Sequence, residues 1–219
     1  MKAVLFDIGG VVVECDLERY LHRAVGVFAC EQPLKAELAR GVRDLETGKL
    51  TSFEFWDRVG QRLMLSGEGR RGRPRHFRNL FRNPMLDSLK LNRPLLWLCQ
   101  MMARNGITVG AVSNTIEDHA RILTEHGAYA PFHPCILSCR VGHRKPDPEM
   151  YRLAAREAGA SPYQCLMVDD NGDNLPSASR LGMSTHHYKD VRALATALAN
   201  HRALSFSQLR LFRRTLAGG

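Results

Sequence analysis

The sequence predicts an α/β fold, a doubly wound parallel sheet with an inserted helical cap. Three observations carry that expectation. Short apolar runs recur at long intervals, as strands buried on both faces of a parallel sheet do. Stretches of helical periodicity separate most of them. One long segment after the first run shows helical patterning alone. The chain has 219 residues, 44% of them apolar, enough for one sizeable core and a small inserted module.

The first strand is expected over Ala3 to Phe6. MKAVLFDIGG lacks the long apolar stretch and cleavage site of a signal peptide. Its short apolar run leads straight into Asp7, which reads as the first strand of a cytoplasmic protein. From about Asp16 to Asn83 there is no strand signal. Asp16 is placed as the cap of a helix through LERYLHRAVGVF, ahead of any role as a catalytic acid. Thr51 with Glu54 makes a capping-box pattern opening TSFEFWDRVGQRLM. Phe53, Phe55 and Trp56 are assigned to the core of the cap. Glycines and Pro74 argue for a loop over Gly67 to Pro74, inside the arginine-rich stretch Arg70 to Arg82.

Four more strands are expected: Ile107 to Val112, Cys135 to Leu137, Cys165 to Val168 and, more weakly patterned, Ser184 to Tyr188. Arg93 to Arg104 reads as a helix closed by Asn105-Gly106. Ile116 to His126 reads as another, with Thr115 as N-cap. Pro148 to Glu157 reads as a third, with Asp147 as its cap before a first-turn proline. The boundaries that follow are 1–15 and 84–203 for the core, 16–83 for the cap, and 204–219 for a C-terminal tail read as a short helix.

No run of about 18 apolar residues is present, so no membrane span is expected. The six cysteines have no zinc spacing and several sit in apolar runs, which reads as small buried hydrophobes. The formal charge of +9 attracts anionic partners without choosing among them. A solvated basic loop is the first reading of Arg70 to Arg82, a grip on anionic substrate the second. Nucleic-acid binding, with Phe77 and Phe81 among the arginines, ranks last. The sequence carries no signal for oligomeric state.

In an open α/β sheet, polar residues at the carboxyl ends of strands face the crevice where ligands bind. Four strand ends qualify: Asp7 followed by Gly9 and Gly10, then Ser113-Asn114, then Lys145 in RKPDP, then Asp169-Asp170. A carboxylate can attack a phosphoryl group. Magnesium takes hard oxygen ligands such as Asp7, Asp169 and Asp170. A lysine and a serine hydroxyl stabilise the equatorial oxygens, and backbone N–H groups of the glycine turn cradle them.

The sequence resembles the haloacid dehalogenase (HAD) superfamily, whose four motifs appear in order over about residues 1–190. FDIGGVV resembles motif I, VSNT motif II, RKPDPEMY motif III and VDDNGDNLPSASRLGM motif IV. LETGKLTSFEFW resembles the helical C1 cap of subfamily IA phosphatases. The resemblance implies a HAD-like Rossmannoid core and a magnesium-dependent phosphatase acting on a small phosphorylated metabolite. Asp7 would be the nucleophile and a metal ligand, with the Gly9 carbonyl and Asp170 as further ligands and Asp169 acting directly or through water. Ser113, the Asn114 backbone and Lys145 would hold the phosphate. Asn174 is divided between support of the site and helix capping. His143 and Arg144 read as solvated loop, and His186-His187 as a strand end.

One departure matters. Most HAD phosphatases carry a second aspartate two residues after the nucleophile, as acid and base. This chain has Gly9 there. The pattern resembles the DxGG and DxGN branch that includes glucose-1-phosphate phosphatases, with the likeness running on through VVVECDLERY. It implies substrates with good leaving groups, such as sugar phosphates. The alternatives are a haloacid dehalogenase, which would not need Asp169 and Asp170 as a magnesium site, and a catalytically weak scaffold binding an anionic partner.

Overall fold

The computed structural model describes residues 1–14, 32–65 and 89–217. The Asp16 cap and its helix, the Gly67 to Pro74 loop, the Arg70 to Arg82 stretch, Cys15 and Cys30 lie outside the described residues. Five parallel strands form one sheet: β1 (Ala3–Phe6), β2 (Thr108–Ser113), β3 (Cys135–Leu137), β4 (Cys165–Asp169) and β5 (Ser184–His187), in the order β3-β2-β1-β4-β5. All five expected strands form, within a residue or so at each end.

The order reverses direction between β1 and β4, which makes their carboxyl ends the topological switch point. The register sets Phe6 beside Val168 and Ala111, so Asp7, Asp169 and Ser113 emerge at one edge. Each residue of β1 is fully buried, because helices cover both faces. Val4 and Phe6 pack with Leu98, Leu123, Leu198 and Phe212 on one side. Ala3 and Leu5 pack with Met150, Tyr151 and Ala154 on the other.

Two helices from the inserted segment are described, α1 (Gln32–Glu46) and α2 (Ser52–Leu65). The capping box is present: Glu54 N donates to Thr51 Oγ1 at 3.2 Å, and Thr51 N to Glu54 Oε2 at 2.8 Å. Phe55 and Trp56 are buried, with ring centroids 5.0 Å apart. Phe53 is 57% exposed, so it is not buried with them. Helical spacing sets residue 53 at the margin of the buried face formed by 55, 56 and 59. The turn after α1 meets the core: Glu46 Oε2 lies 2.8 Å from Arg144 Nε. Gly48, at φ +67°, packs so close to the Cys139 carbonyl that a Cβ would collide with it.

The core helices are α3 (Arg93–Arg104), α4 (Glu117–Glu125), α5 (Ser138–Val141), α6 (Pro148–Glu157), α7 (Leu175–Arg180), α8 (Val191–Asn200) and α9 (Phe206–Ala217). Asn92 caps α3 by accepting from Leu95 N, and Asp147 caps α6 by accepting from Glu149 N. Thr115 does not cap α4, which has no side-chain cap. Ser138 Oγ occupies its backbone instead, accepting from Thr115 N at 2.9 Å and donating to Thr115 O at 3.1 Å. Glu117 and Asp118 in the first turn of α4 offset the missing cap through the helix dipole. The tail forms α9, anchored by Leu209 and by Phe212, which stacks on Trp97. Cys99 and Cys165 are buried as expected, but Cys135, on the edge strand β3, is exposed, and Cys139 in α5 is half-buried. No helix among the described residues is long and apolar enough to cross a membrane.

Candidate active site

Asp7 leaves β1 with its N–H still paired to Val168 O at 2.8 Å, so β4 fixes where its side chain starts. Ile8 N donates to its Oδ1 at 2.7 Å. Lys145 arrives from the loop before α6, and its side chain is buried. Its Nζ lies 2.9 Å from Asp7 Oδ1 and 2.7 Å from Asp169 Oδ2, bridging the ends of β1 and β4.

The Lys145 backbone is clamped from across the sheet edge. Asn114 Oδ1 accepts from Lys145 N at 2.7 Å, and Asn114 Nδ2 donates to Lys145 O at 3.0 Å. The two residues are 31 positions apart, so no local pattern announces this pair. Sequence reasoning assigned Asn114 only a backbone role.

Asp169 is fully buried and heavily hydrogen-bonded. Besides Lys145, Asn174 Nδ2 donates to both carboxylate oxygens at 3.1 Å and Asn171 N donates to Oδ1 at 2.9 Å. Asn174 therefore supports the site and makes no cap bond to α7. Tyr151 OH steadies it by donating to Asn174 O at 2.8 Å. Asp170, next along, is exposed. His187 Nε2 lies 2.9 Å from its main-chain oxygen, a contact sequence reading did not anticipate.

One ligating oxygen from each of Asp7, Asp169 and Asp170 falls within 4.8 Å of the others. Gly9 and Gly10 form the turn after Asp7. Gly10 has φ +69°, and a Cβ there would run into the Asp170 carboxylate. Glycine is thus required twice over, by backbone conformation and by space. Ser113 is buried at the end of β2, and its Oγ has no hydrogen-bond partner among the described residues. An unmet buried hydroxyl is costly, so this one suits an incoming oxygen. His143 pairs with Asp147 at 2.7 Å and Arg144 with Glu46, so neither is merely solvated.

The electrostatics follow from the crowding. Burial pushes the Asp7 carboxyl up to about 7; Lys145 opposes the shift, while Asp169 and Asp170 add to it. Burial and then Asp169 also raise Asp170. Burial works against the Lys145 charge, but Asp7 and Asp169 outweigh it and hold the ammonium above the usual lysine range. With all three carboxyls ionised, three carboxylates against one ammonium leave two negative charges uncompensated in the cluster. A hard divalent cation matches both that charge and the all-oxygen donor set.

Comparison with known proteins bears on the family and the fold. A family model described as haloacid dehalogenase-like hydrolase matches residues 1–182. Bifunctional epoxide hydrolase 2 of Sus scrofa is 26% identical over 207 residues, or 87% of this chain, and this chain spans 37% of that protein. D-ribitol-5-phosphate phosphatase of Bacteroides thetaiotaomicron is 23% identical over 84% of this chain and 90% of its own length. A HAD family enzyme of Bacteroides thetaiotaomicron, crystallised with magnesium and inorganic phosphate, superposes with a TM-score of 0.67 at 23% identity, covering 89% of this chain and 98% of that one. That likeness concerns the fold. The family match takes in β1 through α7 and all four strand ends, and the chain belongs to the haloacid dehalogenase-like hydrolases.

Proposed function

We propose that the protein is a magnesium-dependent phosphomonoester hydrolase acting on a small phosphorylated metabolite, a sugar phosphate among the best candidates, through an aspartyl-phosphate on Asp7. The observation that carries the reading is the buried Lys145 ammonium shared by Asp7 and Asp169 while two negative charges stay uncompensated. The relatives that include a sugar-alcohol phosphate phosphatase support the substrate class.

Asp7 and Asp170 would hold the metal, with Asp169 behind them orienting Lys145; its hydrogen bonds already occupy both oxygens. Bound there, magnesium supplies charge neutralisation to the phosphoryl oxygens. Lys145 and Ser113 Oγ take two of those oxygens, and the turn at Gly9 and Gly10 lets the phosphate approach the backbone. Asp7 attacks phosphorus, a new O–P bond forms and the bond to the leaving oxygen breaks. Water then attacks phosphorus, and inorganic phosphate leaves with the Asp7 carboxylate restored. Gly9 offers no proton to the leaving oxygen. Anomeric and acyl phosphates, whose leaving groups need little protonation, are therefore the preferred substrates.

The test is hydrolysis of acetyl phosphate, glucose 1-phosphate and simple alkyl phosphates, with and without magnesium, by wild type and Asp7→Asn. The reading expects magnesium-dependent turnover that Asp7→Asn abolishes and that falls as leaving-group pKa rises. No magnesium-dependent turnover across the panel would overturn it.

A further inference from the structure

We infer that the outer surface of α3, α8 and α9, away from the strand-end site, is a docking face for the phosphate backbone of a nucleic acid, bound without sequence preference. Charge is unevenly placed along the chain. The stretches 88–116 and 191–219 contain eight lysines and arginines and no aspartate or glutamate, against a net charge of +9 for the whole chain. The rest of the chain is nearly neutral.

The fold gathers these stretches on one side of the sheet. Trp97 of α3 stacks on Phe212 of α9, Asn105 bonds Gln208, and Arg213 of α9 donates to Thr196 of α8. Arg93 and Arg104 of α3, Arg192 of α8, Arg202 in the turn after it, and Arg210, Arg213 and Arg214 of α9 are all exposed. None of them pairs with a carboxylate among the described residues. Several arginines elsewhere do, among them Arg121 with Asp118, Arg140 with Glu117 and Arg144 with Glu46. What sets this face apart is that its two stretches hold no acidic residue at all, so they supply no counter-charge of their own.

Every exposed cation named on this face is arginine, the residue whose planar guanidinium suits phosphate oxygens. An anionic bilayer fits less well. Leu209 and Phe212 of α9 are committed to the core. The exposed Phe206 and Leu211 stand roughly 140° apart around the helix, with Arg210 and Arg214 between them, so no continuous apolar wedge forms.

The experiment titrates a fluorescent mixed-sequence duplex oligonucleotide with the full chain between 50 and 200 mM salt, beside vesicles containing phosphatidylserine. About five phosphate contacts would give a slope near −4.5 in log affinity against log salt. R210E/R214E should bind at least about tenfold more weakly at low salt and flatten the slope by about 2, while R210K/R214K keeps most of the affinity. Circular dichroism of both variants should match wild type, which checks folding independently of any phosphatase assay. Absence of oligonucleotide binding at low salt, equal binding by R210E/R214E, or a charge-dependent affinity for the vesicles alone would overturn the inference.

Discussion

Among the described residues, charge is concentrated in two places and treated in opposite ways. At the ends of β1 and β4, three carboxylates and one ammonium are packed together, and hydrogen bonds from Asn114, Asn171 and Asn174 fix the Lys145 backbone and Asp169. On the outer face of α3, α8 and α9, exposed arginines have no carboxylate partners among the described residues. Buried charges interact strongly and need exact partners, whereas exposed ones act as a screened field. Substitutions at the first place should therefore change chemistry and stability sharply, and those at the surface should do little to either. The sharpest case is Asp7→Asn. Turnover of acetyl phosphate should fall at least about a thousandfold, yet the urea midpoint should hold or rise, because one uncompensated buried charge is gone.

Lys145→Met attacks the same cluster from the other side. It leaves buried carboxylates without their cation, and breaking such a pair costs about 3–5 kcal/mol. Urea unfolding in chelator should show that loss, and magnesium should recover part of it. An unchanged midpoint would mean that the cluster is far better solvated than its burial indicates.

Magnesium itself should stabilise the wild type by about 2.7 kcal/mol at a hundredfold excess over its dissociation constant, or roughly 5–10 °C in Tm. Asp170→Asn should abolish most of that shift. The pH dependence has a definite sign. A carboxyl raised from its ordinary 3.8 to about 7, as Asp7 is, favours the folded state at low pH and loses that contribution as pH rises toward 7. Chelated protein should thus weaken over that interval, and the increment from magnesium should be larger at pH 8 than at pH 5.5.

Asn114→Ala is the milder test within the site. It releases the clamp on the Lys145 backbone but leaves every charge in place. The expected result is roughly a tenfold fall in kcat with KM little changed; a fall in KM-dependent binding alone would assign Asn114 to the substrate instead.

That residue also shows where the sequence stopped being informative. The strands of the sheet were readable because apolar runs such as AVLF and CLMV have to be buried on both faces. The four polar strand ends were readable because the fold class puts them at one edge. Capping by Asp147 and the Thr51–Glu54 box were readable because the partners lie within three residues. The clamp between Asn114 and Lys145 spans 31 positions, and the contact that displaces Thr115 from capping α4 spans 23. Phe53 looked like its neighbours Phe55 and Trp56, and only the orientation of α2 separates them. Asn174 could serve either as a cap or as a support until the position of Asp169 decided it.

The smallest expected effect belongs to the surface. Arg140 and Glu117 form a close pair, with Nη2 and Oε1 2.9 Å apart and side chains 51% and 61% exposed. The hydrogen bond from Arg140 draws the Glu117 carboxyl below its usual range, so the pair resembles the Lys145 cluster in distance. It differs in solvent. Water screens both partners and competes for both, and holding two long side chains together costs entropy, so such pairs contribute about 0–1 kcal/mol. Glu117→Gln should shift the urea midpoint by no more than that, and the shift should shrink further in high salt. A loss on the scale of Lys145→Met would break the comparison, because distance alone would then set the energy of an ion pair in this protein, regardless of burial.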